Sequence, residues 1–294
     1  MNIKHSLLLV IVVLFTSFCL SPANTAITAD NLIDTFHYDD QEPKYYISAH
    51  RGGRYIKGYP ENAVPTFDYT LDKIPNALIE MDVNMTADGV LILMHDNSLE
   101  RTTTGFGLVS KTYWSNMSDK QLIDDFGNIT PFTIPTFIDV LKWAKKKGIV
   151  IKADIKRGVP YDKVIKTIQK YDMTDQVILI TYSAEGASEI YSLTKEMMIS
   201  ASIRNMEEWT RIRQTGIPAS NLIAFTGTKM SDPDLYKTLH DHGILCILGT
   251  MGNIDNKAKA RGEEVYHEFM QLGVDVFATD HPVAVANAVA SFTK

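Results

Sequence analysis

Short, continuous apolar runs recur along this chain, each separated from the next by polar or helix-patterned sequence. They are Tyr45 to Ala49, Ala77 to Val83, Val90 to Met94, Ile149 to Ile155, Gln176 to Thr181, Met197 to Ser202, Leu222 to Phe225, Ile244 to Leu248 and Val274 to Thr279. Continuous runs, as opposed to alternating ones, are expected of parallel strands covered on both faces. The intervening helices carry end signals. Thr136 with Asp139 forms a capping-box pattern, and Phe137, Val140, Leu141 and Ala144 make one apolar face. Lys145, Lys146 and Lys147 suit the helix C-terminus, and Gly148 suits the left-handed position beyond it. Such alternation over ~250 residues predicts an α/β protein with a parallel sheet, most economically closed as a (β/α)8 barrel of the TIM type. Nine runs are one too many. Val90 to Met94 follows its predecessor with no room for a crossover helix, and Asp88-Gly89 is a turn signal. Residues 77–94 therefore read as a β-hairpin that adds one strand, with a small insertion after the third run.

The N-terminus has the pattern of an export signal over residues 1–26. Lys4 precedes an apolar run from Leu7 to Phe15 that stays greasy to Leu20, and the small residues Ser21, Ala23 and Ala26 follow. The run is shorter than the roughly 20 residues of a membrane span. The expected location is outside the cytoplasm, with cleavage after Ala23 or Ala26. Lipidation at Cys19 is the lesser alternative, because Phe18 stands where a small residue is preferred. Residues 27–44 read as a polar lead-in and 45–294 as one barrel domain. Removing the signal leaves Cys246 alone, so no disulfide is expected; with 45% hydrophobic residues the core suffices. The net charge of -6 argues against a nucleic-acid partner.

Glu80 and Asp82 lie two apart in a run, so both side chains share one strand face. Their neighbours Ile79, Met81 and Val83 imply burial. Two buried carboxylates side by side call for a cation. Oxygen-only ligands favour one Mg²⁺ or Ca²⁺. His50 closes the first run, and the 77–94 hairpin in its simplest register returns His95 beside the carboxylates. Strand C-termini share the mouth of a barrel, and two histidines there can act as base and acid in turn.

His50-Arg51-Gly52-Gly53, Pro60-Glu61-Asn62, Glu80-Met81-Asp82, Thr86-Ala87-Asp88-Gly89 and His95-Asp96 occur in that order. Together they resemble the glycerophosphodiester phosphodiesterase family, barrel enzymes related to phosphatidylinositol-specific phospholipase C. The likeness is tight from Tyr45 to Gly107, where Arg101-Thr102-Thr103-Thr104-Gly105-Phe106-Gly107 also fits, and looser beyond. It implies catalytic roles for His50 and His95, metal ligation by Glu80 and Asp82, and support from Glu61, Asn62 and Asp96. The family's third metal ligand, a Glu two residues before a Lys, corresponds to Asp154 before Lys156, one methylene shorter. Arg51 and Lys156 would meet the phosphate. Ala63 stands where the family has Thr. Thr279-Asp280-His281-Pro282 resembles the closing family motif, while Gly249-Thr250-Met251-Gly252-Asn253 replaces a Trp-Thr-x-Asn segment.

The resemblance implies metal-assisted hydrolysis of a small glycerophosphodiester to glycerol 3-phosphate and an alcohol. Two other readings are open. A phospholipase C- or D-like enzyme on intact lipid would use an apolar rim at the membrane surface, for which Phe106 to Phe126, with Tyr113, Trp114 and Met117, is the candidate. An exported binding protein without turnover is the other. His240-Asp241-His242 reads as a capped surface turn, His37 as part of the lead-in and His267 as a polar helix face. The sequence sets no oligomeric state.

Overall fold

The computed structural model describes residues 32–293. The export-signal and Cys19 expectations fall outside the described residues. Within them no helix is long and apolar enough to cross a membrane.

The strands are β1 (Tyr46–Ala49), β2 (Leu78–Met85), β3 (Leu91–Leu93), β4 (Gln121–Ile123), β5 (Ile129–Thr133), β6 (Ile151–Ile155), β7 (Val177–Thr181), β8 (Met198–Ser202), β9 (Leu222–Phe225), β10 (Cys246–Gly249) and β11 (Val276–Thr279). The helices are α1 (Leu32–Thr35), α2 (Val64–Lys73), α3 (Phe137–Lys147), α4 (Tyr161–Lys170), α5 (Ala184–Leu193), α6 (Met206–Gln214), α7 (Pro233–His240), α8 (Asn253–Arg261), α9 (Val265–Met270) and α10 (Pro282–Phe292). Among the described residues, eight parallel strands close in the order β1-β2-β6-β7-β8-β9-β10-β11, with β11 pairing back to β1. This is a TIM-type (β/α)8 barrel. β3 runs antiparallel on β2, so Val90 to Met94 is the added hairpin strand, with Val83 opposite Leu93.

Period two sorts each strand into an outward and an inward set. Outward Ile79, Met81, Ala153 and Leu179 join the core beneath the helices. Inward residues climb from an apolar floor to a polar mouth. Leu78, Val150, Ile178, Met198, Ile223, Ile247 and Val276 form the floor. Above them on the same strand faces stand Glu80 and Asp82 on β2, Lys152 and Asp154 on β6, and Ser200 and Ser202 on β8. The lead-in is more than a polar tail: Leu32 and Phe36 pack into this floor, and Phe36 lies 4.8 Å from the Tyr46 ring.

Helix ends follow the sequence signals closely. Thr136 Oγ1 accepts the Asp139 N–H and donates to the Asp139 carboxylate at 2.6 Å. The shorter Asp thus closes the box on the hydroxyl. Gly148 adopts φ 67°, ψ 33°. The insertion after β3 holds the β4–β5 hairpin, which no apolar run announced, and its own small core of Ile92, Met94, Leu99, Val109, Met117 and Ile134. That placement corrects the rim expectation in part. Phe106, Tyr113 and Phe126 are exposed, but Met117 is fully buried. His240 corrects another reading. Its ring is largely covered, stacks on Tyr38 and bonds Asp275, while His242 alone fits the surface turn.

Candidate active site

β1 ends in a tight turn, His50–Gly52, where Arg51 takes φ 54° and Gly52 φ 83°. A Cβ on Gly52 would lie 2.2 Å from the Phe67 ring, so the turn admits only glycine and α2 can press against it. The turn aims the Arg51 N–H at Glu80 Oε2, 2.7 Å away, and so couples the first strand end to the acidic cluster. Asn62, also left-handed at φ 57°, clamps Asp82 twice: its Nδ2 donates to Asp82 Oδ2 at 2.7 Å, and its Oδ1 accepts the Asp82 N–H at 2.9 Å. Glu61 gathers three arginines. It accepts from Arg51 at 2.9 Å and from two Arg101 nitrogens at 2.9 Å, and lies 3.3 Å from Arg54.

Parallel register sets Asp82 beside Asp154 and Glu80 beside Lys152. Glu80, Asp82 and Asp154 each present a carboxylate oxygen within 4.8 Å of the others. Burial, reinforced by Asp82 and Asp154, pushes the Glu80 carboxyl pKa upward despite His50 nearby. Burial opposes the charge on Asp82 too, but Lys156 and Arg51 outweigh it and hold Asp82 below its ordinary range. Lys156 Nζ bridges Asp82 at 2.6 Å and Asp154 at 2.7 Å. Asp154 Oδ1 is buried without a partner. An orphaned carboxylate oxygen, two buried acidic neighbours and an all-oxygen donor set fit a hard divalent cation.

The histidines flank this cluster. His50 Nδ1 lies 2.7 Å from Asp280 Oδ1, and His95 Nδ1 lies 2.7 Å from Asp96 Oδ1. Both carboxyl pKa values are depressed. For Asp280 burial is overcome by His50 and Arg54; for Asp96 the Arg101 hydrogen bond dominates. An ionised carboxylate only accepts, so each Nδ1 donates and each Nε2 is left as the titrating atom. Burial lowers both imidazoles. In His50 the Asp280 bond and Glu80 overcome it and the pKa rises; in His95 burial prevails and it falls.

All ten residues singled out from sequence thus meet at one mouth. Arg51 sits deeper than its expected phosphate role suggests, 7% exposed and 3.5 Å from Asp82. Four partners went unread. Asp280 follows β11 as His50 follows β1, and the Ala49–Thr279 pairing makes them neighbours; the closing Thr-Asp-x-Pro motif was its signal. Tyr182, just past β7, donates to Asp154 Oδ2 at 2.7 Å. Lys152 is buried inside the barrel, where desolvation pulls its pKa down to about 8 against Glu80 and Asp154. Arg101 lay inside a quoted motif, yet its fork onto Glu61 and Asp96 needs the fold to be seen. A small cavity of about 90 Å³ opens among His50, Glu80, Asp154, Tyr182, Phe225 and Met251. A larger cleft of about 570 Å³ lies beside it, bordered by Asp280, Tyr55 and Tyr266.

Residues 50–284 match the Glycerophosphoryl diester phosphodiesterase family. The chain belongs to this family. It is 25% identical over 254 residues to a glycerophosphodiester phosphodiesterase of Caldanaerobacter subterraneus subsp. tengcongensis, covering 84% of this chain and 98% of that one. A second such enzyme, from Bacillus subtilis, is 25% identical over 255 residues, with 80% and 83% covered. The crystal structure of a glycerophosphoryl diester phosphodiesterase from Parabacteroides distasonis superposes with a TM-score of 0.80 at 32% identity, covering 90% and 92%. The activity is that of a glycerophosphodiester phosphodiesterase, a phosphoric diester hydrolase. In this phosphodiesterase the mouth described above is the candidate seat of the chemistry.

Proposed function

We propose that this phosphodiesterase releases glycerol 3-phosphate and a free alcohol by histidine acid-base catalysis at the barrel mouth. The observation that carries this is the pair of imidazoles, each held at Nδ1 by its own carboxylate, on either side of a buried acidic cluster. A divalent cation, Mg²⁺ or Ca²⁺, held by Glu80, Asp82 and Asp154 would draw charge from a non-bridging phosphoryl oxygen. Lys156 and Arg51 add positive charge where the phosphoryl group gains negative charge. Nε2 of one histidine takes the proton of the glycerol 2-hydroxyl as its oxygen bonds phosphorus. Nε2 of the other gives a proton to the departing alcohol oxygen as that P–O bond breaks. Water then opens the cyclic phosphate with the two histidines in exchanged roles, and each ends in its starting state. Support for the product comes from a phosphodiesterase of Oleispira antarctica, similar in fold at a TM-score of 0.68, whose structure holds sn-glycerol-3-phosphate.

The test is incubation of the purified protein with glycerophosphocholine or glycerophosphoethanolamine in Mg²⁺, Ca²⁺ or EDTA, with glycerol 3-phosphate measured. Release should require the ion and fall by ~10²–10⁴ in His50→Ala and His95→Ala, the usual share of acid-base catalysis. Release that persists in EDTA and in both variants would sink the proposal.

Exposed Phe106, Tyr113 and Phe126 favour a second reading, contact with a lipid surface. Hydrolysis of phospholipid vesicles, slowed in Phe106→Ser, would support it; indifference to vesicles would refute it. The proposed export of the chain predicts that N-terminal sequencing of extracytoplasmic protein starts after Ala23 or Ala26.

A further inference from the structure

We propose that His240, Cys246 and Asp275 form a second metal site, at the end of the barrel opposite the catalytic mouth, which takes a thiophilic divalent ion such as Zn²⁺. The three come from separate elements. His240 is the last residue of α7, Cys246 the first of β10, and Asp275 immediately precedes β11. Their donor atoms all lie within 4.8 Å of one another, and His240 Nε2 is 2.9 Å from Asp275 Oδ2. A tetrahedral zinc holds its ligand atoms roughly 3.3–3.8 Å apart, so the ion would take the place of the proton between His240 Nε2 and Asp275 Oδ2, with small side-chain rotations to open their 2.9 Å contact.

The donor set distinguishes this place from the mouth. One nitrogen, one sulfur and one oxygen select zinc over magnesium or calcium. Neutral imidazole, thiolate and carboxylate around a 2+ ion sum to zero charge, which suits a site this buried. The ligands are also held in place, by one another and by Tyr38. The Cys246 N–H donates to Asp275 Oδ2 at 2.7 Å, and the Tyr38 ring stacks on His240 at 3.6 Å, within 5° of parallel. A cavity of about 560 Å³ bordered by Tyr38, Asp39, Asp40, Lys237, His240 and Asp241 reaches the site from the His240 side. A bound ion would tie α7, β10 and β11 together beneath the barrel, under the segment that plugs its floor.

Co²⁺ is the probe, because only a sulfur ligand gives sulfur-to-cobalt charge-transfer absorption; an ion at the all-oxygen catalytic cluster is silent in that band. Co²⁺ added to the purified full chain beyond two equivalents, enough to fill both clusters, should produce the band, and Zn²⁺ should abolish it by displacement. Cys246→Ser should lack it and His240→Asn should bind Co²⁺ at least tenfold more weakly, while both hydrolyse glycerophosphodiesters as the native protein does. With Mg²⁺ in excess to fill the catalytic cluster, Zn²⁺ should raise the Tm of the native protein more than that of Cys246→Ser. The His240→Asn titration decides the matter if Cys246→Ser fails to fold. No band in the folded native protein, a band that survives in Cys246→Ser, or undiminished affinity in His240→Asn would overturn the site and leave a His–Asp bridge beside a buried thiol.

Discussion

His50 is controlled by a residue 230 positions away. Asp280 fixes which ring nitrogen carries the proton and holds the ring in place. A hydrogen bond to a charged group is worth about 1.5–3 kcal/mol, so Asp280→Asn should lower kcat roughly 10- to 150-fold. The pair also shapes stability. Asp280 is depressed from 3.8, so its contribution is present above that value and fades as pH falls through the folded pKa. His50 is raised from 6.5, so its contribution is full below that value and fades as pH rises through the folded pKa. Urea titrations should therefore find the native protein's advantage over Asp280→Ala greatest between about pH 4 and 6.5. Glu80 carries the opposite sign. Its pKa is raised, so its charge costs stability increasingly as pH climbs above 4.5. In EDTA at neutral pH, Glu80→Gln should melt at a higher temperature than the native protein while losing activity. The acidic pair was legible because two carboxylates spaced two apart in an apolar strand have few uses. Tyr182 was not, since a tyrosine at a strand end carries no signal until Asp154 is seen beneath it.

At the scale of elements, what could be read was what local chemistry dictates. The α3 cap, its lysine-rich end and Gly148 depend on neighbours in sequence, and all stand where expected; Thr136→Ala should cost about 1 kcal/mol in urea unfolding. The β4–β5 hairpin depends on partners elsewhere. Asp124 organises it, accepting from the N–H groups of Phe126, Asn128 and Gly58 and from the Asn128 amide. Burial opposes its charge, but these bonds, with Asn128 foremost, pull its pKa down to about 2. The support is thus complete above pH 3.8 and lost as pH falls through about 2. Hydrogen exchange at residues 121–133 should quicken in Asp124→Ala at neutral pH, with little change in the β-barrel strands. Sequence missed this hairpin because β5 inverts the usual pattern, with Ile129 exposed and Thr130 buried, and Gln121 and Thr133 face solvent.

For the whole molecule, nine apolar runs sufficed to predict closure, since eight parallel strands in a chain of this length have one economical arrangement. They could not show how the floor is sealed. Leu32 and Phe36 come from a stretch whose composition is polar, and their role appears only once the barrel has a bottom to fill. Phe36→Ala should cost about 3–5 kcal/mol, seen as a lower urea midpoint, with kcat unchanged because the mouth lies at the other end.

The seam between β1 and β11 sets a rule for when this protein can act. The imidazole emerges from the ribosome near the beginning of synthesis and its carboxylate partner near the end, so a chain that stops before Asp280 lacks the dyad. Turnover becomes a certificate that the last strand has docked on the first. On the proposed mechanism, a product stalled before Asp280 would be inert toward any diester it meets.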